Sequence, residues 1–207
     1  MDNTVGSLTQ LQKSVVIGSL LGDVYARIIP GRKNAFLEFN HSWKAKEYVD
    51  WKFGILKNIC VSPPKMRNGN NGRIAYRFFT KQHPELTGLY RIFYPNGKKI
   101  VPPDFTLDTI ALSIWFMDDG GRSGEKNIYL NTQQFSVNHQ QILLQKLQEM
   151  GLKATLNKDK VYYRIRFRAS SIGDLRNMLR SKIIPSMQYK LGYNPVETCP
   201  PQAGRVL

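Results

Sequence analysis

The chain has 207 residues, enough for one domain or two small ones around a real core. Lys and Arg outnumber Asp and Glu by 30 to 15, giving a net charge of +15, while 42% of residues are apolar; this predicts a folded protein with a polyanionic partner, nucleic acid or an anionic membrane. No apolar run approaches the roughly 18 residues of a bilayer span, no basic amphipathic helix supports membrane binding, and Met1-Asp2-Asn3-Thr4 lacks the basic start of a secretory or transit peptide.

Cys60 and Cys199 stand far apart and outside any C-x-x-C pair, so neither a disulfide framework nor a zinc site is expected. The protein reads as intracellular and reduced.

Ser7-Leu8-Thr9-Gln10 reads as a capping box that opens a helix. Leu8, Leu11, Val15, Gly18 and Gly22 form one stripe along it, and Asp23 stands at its end. Tyr25 to Ile29, a turn at 30–34 and Ala35 to Asn40 make a hairpin, with Leu37 and Phe39 on one face and Glu38 and Asn40 on the other. Residues 43–59 read as a helix with Trp43, Tyr48, Trp51 and Leu56 among its apolar positions. A loop through Pro63 and Pro64 leads to Asn68-Gly69-Asn70-Asn71-Gly72; a strand at Arg73–Thr80, a helix at 84–94 and a basic turn at Asn96-Gly97-Lys98-Lys99 follow.

The order then repeats. Thr106 is read as the cap of a helix carrying Leu107, Ala111, Ile114 and Asp118 on one stripe. After Asp119 come a Gly-Gly turn, a strand from Ile128 to Phe135, a helix at 137–150, strands near 152–157 and 161–168, and a helix near 171–183. The final segment holds Pro185, Lys190 and a Pro200-Pro201 tail expected to be loose. The repeat of about a hundred residues is too long for a solenoid unit and fits two halves about a pseudo-two-fold axis.

Both repeats start with an apolar helix that stops on a carboxylate: Val16-Ile17-Gly18-Ser19-Leu20-Leu21-Gly22-Asp23, and Leu112-Ser113-Ile114-Trp115-Phe116-Met117-Asp118-Asp119-Gly120. A negative charge at a helix C-terminus opposes the macrodipole at a cost of roughly 0.3–1 kcal/mol. A lone Asp there is most often a solvated turn residue, but a rule broken twice at matched positions points to function. Gly18 and Gly22 let the second helix approach closely, which brings Asp23 and Asp119 together. Two adjacent carboxylates call for a cation between them; Mg²⁺ suits oxygen donors and supports phosphodiester hydrolysis. Asp118 reads equally as a ligand or as a partner of the opposing helix end.

The strands carry a second signal. Arg164, Arg166 and Arg168 alternate with Ile165 and Phe167, so all three share one face with no acid between them. Arg73 and Arg77 share a face, as do Asn131 and Gln133. Arg reads guanine and Asn or Gln reads adenine in the major groove, which admits a β-ribbon. His41, His83 and His139 form no ligand spacing and read as structural or surface groups. A lysine in a loop, such as Lys98, Lys99 or Lys190, is by itself usually just solvated.

These residues resemble the LAGLIDADG homing endonuclease family in its single-chain, two-motif, organellar form. Trp115-Phe116-Met117-Asp118-Asp119-Gly120-Gly121 is similar to its second motif, and Ser62-Pro63-Pro64-Lys65, Asn131-Thr132-Gln133 and Ile184–Leu191 match in order. The resemblance implies a mixed α/β (α+β) fold of two αββαββα halves, 1–103 and 104–207. Two antiparallel sheets then form a DNA-binding saddle around the central motif helices. It implies a site-specific endonuclease that cuts both strands of a long, asymmetric duplex site, leaves short 3′ overhangs and acts as a monomer without a protein partner. Asp23 and Asp119 would bind metal and activate water, with Gly22 and Asp118 as further ligands. Lys99, with Lys98 as fallback, and Lys190 would support the chemistry. The DNA contacts implied are Arg27, Arg32, Lys33, Glu38, Asn40, Arg73, Arg77, Arg122, Asn131, Gln133, Arg164, Arg166 and Arg168. Mg²⁺ is the implied ion, with Mn²⁺ as a substitute and Ca²⁺ binding without cleavage; an organelle or a bacterial cytoplasm is the implied setting. The competing readings are an RNA maturase and a non-catalytic DNA-binding regulator, neither of which needs both acids. The sequence departs from the family pattern at Val24, where the consensus has Gly, and at Ile114 and Asp118, where it has small residues; looser packing of the motif helices is expected there.

Overall fold

A computed structural model describes residues 6–69 and 72–193. The first helix, α1 (Gln10–Leu21), is capped by Thr9, whose side chain accepts from the Gln12 N–H while Gln12 reciprocates. The capping box therefore starts two residues later than the Ser7 reading. That shift leaves Leu8 in front of the cap, where it buries to 4% exposure. Leu11, placed on the inner stripe by spacing, is 47% exposed; the helix buries Val15, Gly18, Ser19 and Leu21 instead.

Strands β1 (Tyr25–Ile28) and β2 (Ala35–Ser42) form the expected hairpin. Gly31 supplies the turn with φ 78°. The helical stretch at 43–59 is three pieces: a 3-10 turn, α2 (Lys46–Leu56) and a second 3-10 turn. Strand β3 (Lys65–Asn68) occupies what read as loop. Its four residues are all exposed, so it offers no alternation to detect. Strand β4 (Ile74–Phe79) and helix α3 (Pro84–Phe93) complete the first half.

In the second half, α4 (Thr109–Asp119) is capped by Asp108 rather than Thr106. The Asp108 carboxylate accepts both the Ala111 N–H and the Ser14 hydroxyl of α1, tying the start of the helix to its neighbour. The Gly-Gly pair expected to turn forms β5 (Gly120–Arg122). A Cβ on Gly121 would stand 2.6 Å from the Tyr129 ring, so glycine is needed for close approach there. Strand β6 stops at Leu130 (Ile128–Leu130). Beyond it the Thr132 hydroxyl takes the Ile165 N–H at 3.2 Å, replacing the ladder, and Asn131 and Gln133 leave the strand. Then come α5 (Val137–Glu149), β7 (Ala154–Asp159), β8 (Tyr162–Phe167), α6 (Ile172–Leu179) and a 3-10 segment at Pro185–Leu191. The Pro200-Pro201 tail and Cys199 lie outside the described residues, as do Asn70 and Asn71.

Each half thus runs αββαββα, with antiparallel sheets in the orders β1-β2-β4-β3 and β5-β6-β8-β7. One hydrophobic cluster joins them, from Phe39 and Phe78, stacked at 4.5 Å, to Trp115 and Ile165. The most extensive helix–helix contact is α1 against α4 at its centre.

Candidate active site

The seam between α1 and α4 is made by glycine. A Cβ on Gly18 would meet the Ala111 carbonyl and stand 2.7 Å from the Ile114 Cβ. One on Gly22 would stand 2.5 Å from the Asp118 Cβ. The larger residues of the second motif therefore sit over the glycines of the first. Ile114 and Asp118 do not loosen the packing, because the missing volume opposite accommodates them.

The Asp118 side chain is fully buried, and both its oxygens accept from Lys52 Nζ, at 2.9 and 3.1 Å. Its Oδ2 also accepts the Asp23 N–H at 3.4 Å. Lys52, from α2, is itself 0% exposed; burial pulls its pKa down and the Asp118 charge opposes that. The Tyr48 ring lies 4.2 Å from the ammonium, and its hydroxyl donates to the Ile114 carbonyl at 3.2 Å. Lys52 escaped the sequence reading, although Tyr48, Lys52 and Leu56 fall on one helical stripe and a lysine there was its signal.

Asp119 ends α4, and Trp115 Nε1 donates to its Oδ2 at 3.2 Å. Burial, then the Asp118 and Asp23 charges, push its carboxyl well above the usual carboxylate range. Asp23 follows the C-cap of α1, its side chain 51% exposed.

The two lysines occupy matching places. Lys99 Nζ donates to the Gly22 carbonyl at 2.5 Å and to the Val24 carbonyl at 3.4 Å. Lys190 Nζ donates to the Met117 carbonyl and, at 3.2 Å, to that of Asp118. Gly22 and Asp118 are counterparts in the repeat, so each lysine holds the C-terminal carbonyls of its own motif helix. Burial lowers the Lys99 pKa to about 8, against the pull of three aspartates, and lowers that of Lys190. Lys98 is exposed.

His41, read from the sequence as a structural or surface group, lies beside two aspartates. Strand alternation puts it on the inner face of β2 with Leu37 and Phe39. Its Nδ1 lies 3.7 Å from Asp23 Oδ2 and its Nε2 lies 3.9 Å from Asp118 Oδ1. Burial, then Lys52, lowers its pKa, which favours the neutral ring. His83 is structural, accepting the Glu85 N–H at the start of α3.

Asp23, His41 and Asp118 each offer one ligand atom, all within 4.8 Å of one another. Asp119 gains a proton readily because it is buried and because negative neighbours crowd it. Both facts fit a divalent cation at this centre.

The sheets present polar outer faces. In the first, Lys65, Arg77 and Asn40 stand in one cross-strand row, and Arg67 lies beside it. Lys65 and Arg67 were missed because β3 was. Glu38 pairs with Arg27 at 3.3 Å and with Arg77 at 3.5 Å. Arg32 and Lys33 are exposed in the β1–β2 turn, and Arg73 precedes β4 instead of lying in it. In the second sheet, Arg122 is exposed on β5, Arg166 donates to Asn127, and Arg164 packs 3.9 Å from the Tyr129 ring centre. Asp159 stands beside this face, 3.9 Å from Arg164 and accepting from Gln133 at 2.9 Å, so the arginine face does contain an acid. Arg168 falls beyond β8 and lines a groove with Gln141, Gln145 and Gln148 of α5, apart from the row of Arg164 and Arg166. No helix among the described residues is long and apolar enough to cross a membrane.

A family model described as the LAGLIDADG DNA endonuclease family matches residues 13–175. The "Probable intron-encoded endonuclease 1" of Wickerhamomyces canadensis is 31% identical over 204 residues, covering 91% of this chain and 87% of its own. The "Cytochrome b mRNA maturase bI2" of Debaryomyces hansenii is 33% identical over 190 residues, covering 86% and 72%. A solved structure, the homing endonuclease I-WcaI bound to its DNA recognition sequence, aligns with a TM-score of 0.82 at 30% identity, over 91% of this chain and 89% of that one.

Proposed function

The chain belongs to the LAGLIDADG DNA endonuclease family, and from that premise we propose a site-specific enzyme that cuts both strands of a long, asymmetric duplex and leaves short 3′ overhangs. The family, the Wickerhamomyces canadensis relative and the similar solved structure are all named for endonuclease activity. The observation that carries the finer reading is the symmetric pair of helix ends: Asp23 and Asp119 lie at the close of two helices locked together, each end held by its own lysine.

Asp23 and Asp119 would hold the divalent ion, with Gly22 and Asp118 as auxiliary oxygen donors. Mg²⁺ suits that set, Mn²⁺ can replace it, and Ca²⁺ is expected to bind without supporting cleavage. The ion supplies charge stabilisation at the scissile phosphate. Trp115 fixes the direction of the Asp119 carboxylate. Lys99 and Lys190, anchored on backbone carbonyls, aim fixed positive charge at the same place, where charge develops on phosphate oxygens. The outer rows of Arg77 and Asn40, and of Arg164 and Arg166, would lie in the major groove. The halves, divided after residue 103, act together as one monomer, and the intron-encoded relative argues for an organellar origin.

The test is incubation with the uninterrupted host gene and Mg²⁺, followed by mapping of the cut ends; a randomised duplex library serves where the host gene is unknown. Wild type should give paired, offset nicks at one site. Asp119→Asn should bind that duplex and leave it whole. Cutting by Asp119→Asn at the wild-type rate would overturn the role given to that carboxylate. The maturase-named relative supports a second, compatible reading, RNA splicing assistance on the same scaffold. Splicing retained by Asp119→Asn would separate the two activities.

A further inference from the structure

We infer that the first half carries a nitrogen donor for a divalent cation that the second half lacks: His41, with Asp23 and Asp118, forms a site suited to Mn²⁺, Co²⁺ or Zn²⁺. The inference rests on the reading of Asp23 as a metal-holding carboxylate and extends it to ion preference and to inequality between the halves.

The His41 side chain is 9% exposed, yet its Nε2 is buried with no hydrogen-bond partner among the described residues. Its approaches of 3.7 and 3.9 Å to Asp23 and Asp118 are too long for hydrogen bonds. A buried polar atom left unsatisfied is destabilising, so a partner for this nitrogen is missing. Nε2 faces Asp118 and Nδ1 faces Asp23, and the three side chains each bring one ligand atom into a 4.8 Å cluster. An ion among the three satisfies all of them at once. Lys52 already touches Asp118, but a carboxylate has about four lone-pair sites and the ammonium leaves others free.

The repeat shows that this donor is not shared. Tyr25 pairs with Glu38 on β2, and its counterpart Gly121 pairs with Tyr129 on β6. Three residues further along each chain stand His41 and Thr132. Thr132 is fully buried, and its hydroxyl is committed to the Ile165 N–H at 3.2 Å. The first half therefore offers an imidazole beside its own Asp23 and the Asp118 that reaches across the seam, and the second half offers only an occupied hydroxyl at the matching place. Mg²⁺ prefers oxygen alone, whereas imidazole raises affinity for later first-row ions.

The experiment is a Co²⁺ titration of the metal-free full chain, followed by visible absorption and by proton NMR for a paramagnetically shifted imidazole N–H. Wild type should show one shifted imidazole resonance. His41→Ala and His41→Gln should lose it and bind Co²⁺ at least about tenfold more weakly; Gln keeps the packing if the Ala variant does not fold. A wild-type titration without that resonance, or unchanged Co²⁺ affinity in either folded variant, would overturn the inference and leave a bridging water as the partner of Nε2. Mg²⁺-dependent DNA cleavage is scored alongside. Cleavage without imidazole-bound Co²⁺ rejects this site alone. Imidazole-bound Co²⁺ without cleavage upholds the site and rejects the nuclease mechanism.

Discussion

The Lys52 and Asp118 side chains are both fully buried and bonded to each other. Taking one away strands the other charge in a low-dielectric interior, a loss of about 3–5 kcal/mol. Lys52→Met should lower the urea midpoint accordingly, and adding Asp118→Ala should recover much of the loss; losses from the two single variants that simply add in the double variant would show that the charges are uncoupled. Lys99 gives a pH signature. Folded, it releases its proton near about 8, whereas an unfolded lysine does so near 10.5. Between those values the unfolded chain holds the extra proton, so this group's contribution to stability rises with pH. The stability of wild type minus that of Lys99→Met, measured in metal-free buffer, should climb across that window; a flat difference would mean an unshifted lysine. At this scale the family motif names Asp23, Asp119, Lys99 and Lys190, and the structure sets the two lysines on the carbonyls of matching helix ends. The sequence hid Lys52 and His41, because their partners come from other elements far along the chain and no local pattern marks a cross-seam ion pair.

Among the elements, two glycines make opposite predictions. Gly18 is pressed against the Ala111 carbonyl and Ile114, and Gly54 within α2 has nothing within 4 Å of a built Cβ. Gly18→Ala should force α1 off α4 and destabilise by about 1–3 kcal/mol. Gly54→Ala should stabilise by about 0.4–1 kcal/mol through the unfolded chain. Chemical denaturation checks both, and a neutral Gly18→Ala would mean that the helices can part without penalty. Helices were largely legible because they carry a 3.6-residue pattern, and α1, α3, α4 and α5 a side-chain cap as well. The misplaced caps share one cause: Thr9 and Asp108 won over Ser7 and Thr106 through tertiary contacts of their neighbours, which spacing does not reveal. Strands failed where their signal is thin. β3 is an exposed edge, β5 starts on two glycines, and β6 is cut short by a threonine that replaces the ladder.

For the molecule as a whole, a net charge of +15 and two polar sheet faces make duplex binding a counterion-release reaction. The logarithm of affinity should fall linearly with that of salt concentration, by roughly 0.9 for each phosphate neutralised. Filter binding or fluorescence anisotropy across a salt series measures this, and a flat response would argue against a DNA surface. That the chain repeats itself was legible from element order, since matching order in both halves leaves few ways to bury two sheets and two apolar helices together; the full αββαββα count was not, because β3 read as loop and β5 as a turn, and it came from the family resemblance. The matching of large to small across the seam was not legible, since it exists only once the halves meet. That matching limits exchange. Gly22 and Lys52 of one half are fitted to Asp118 of the other. A chimaera joining this first half to a foreign second half with a small side chain in place of Asp118 would inherit a void above Gly22 and an ammonium with no counterion. Grafting new cutting specificity onto this scaffold means transplanting all three positions as one heritable unit.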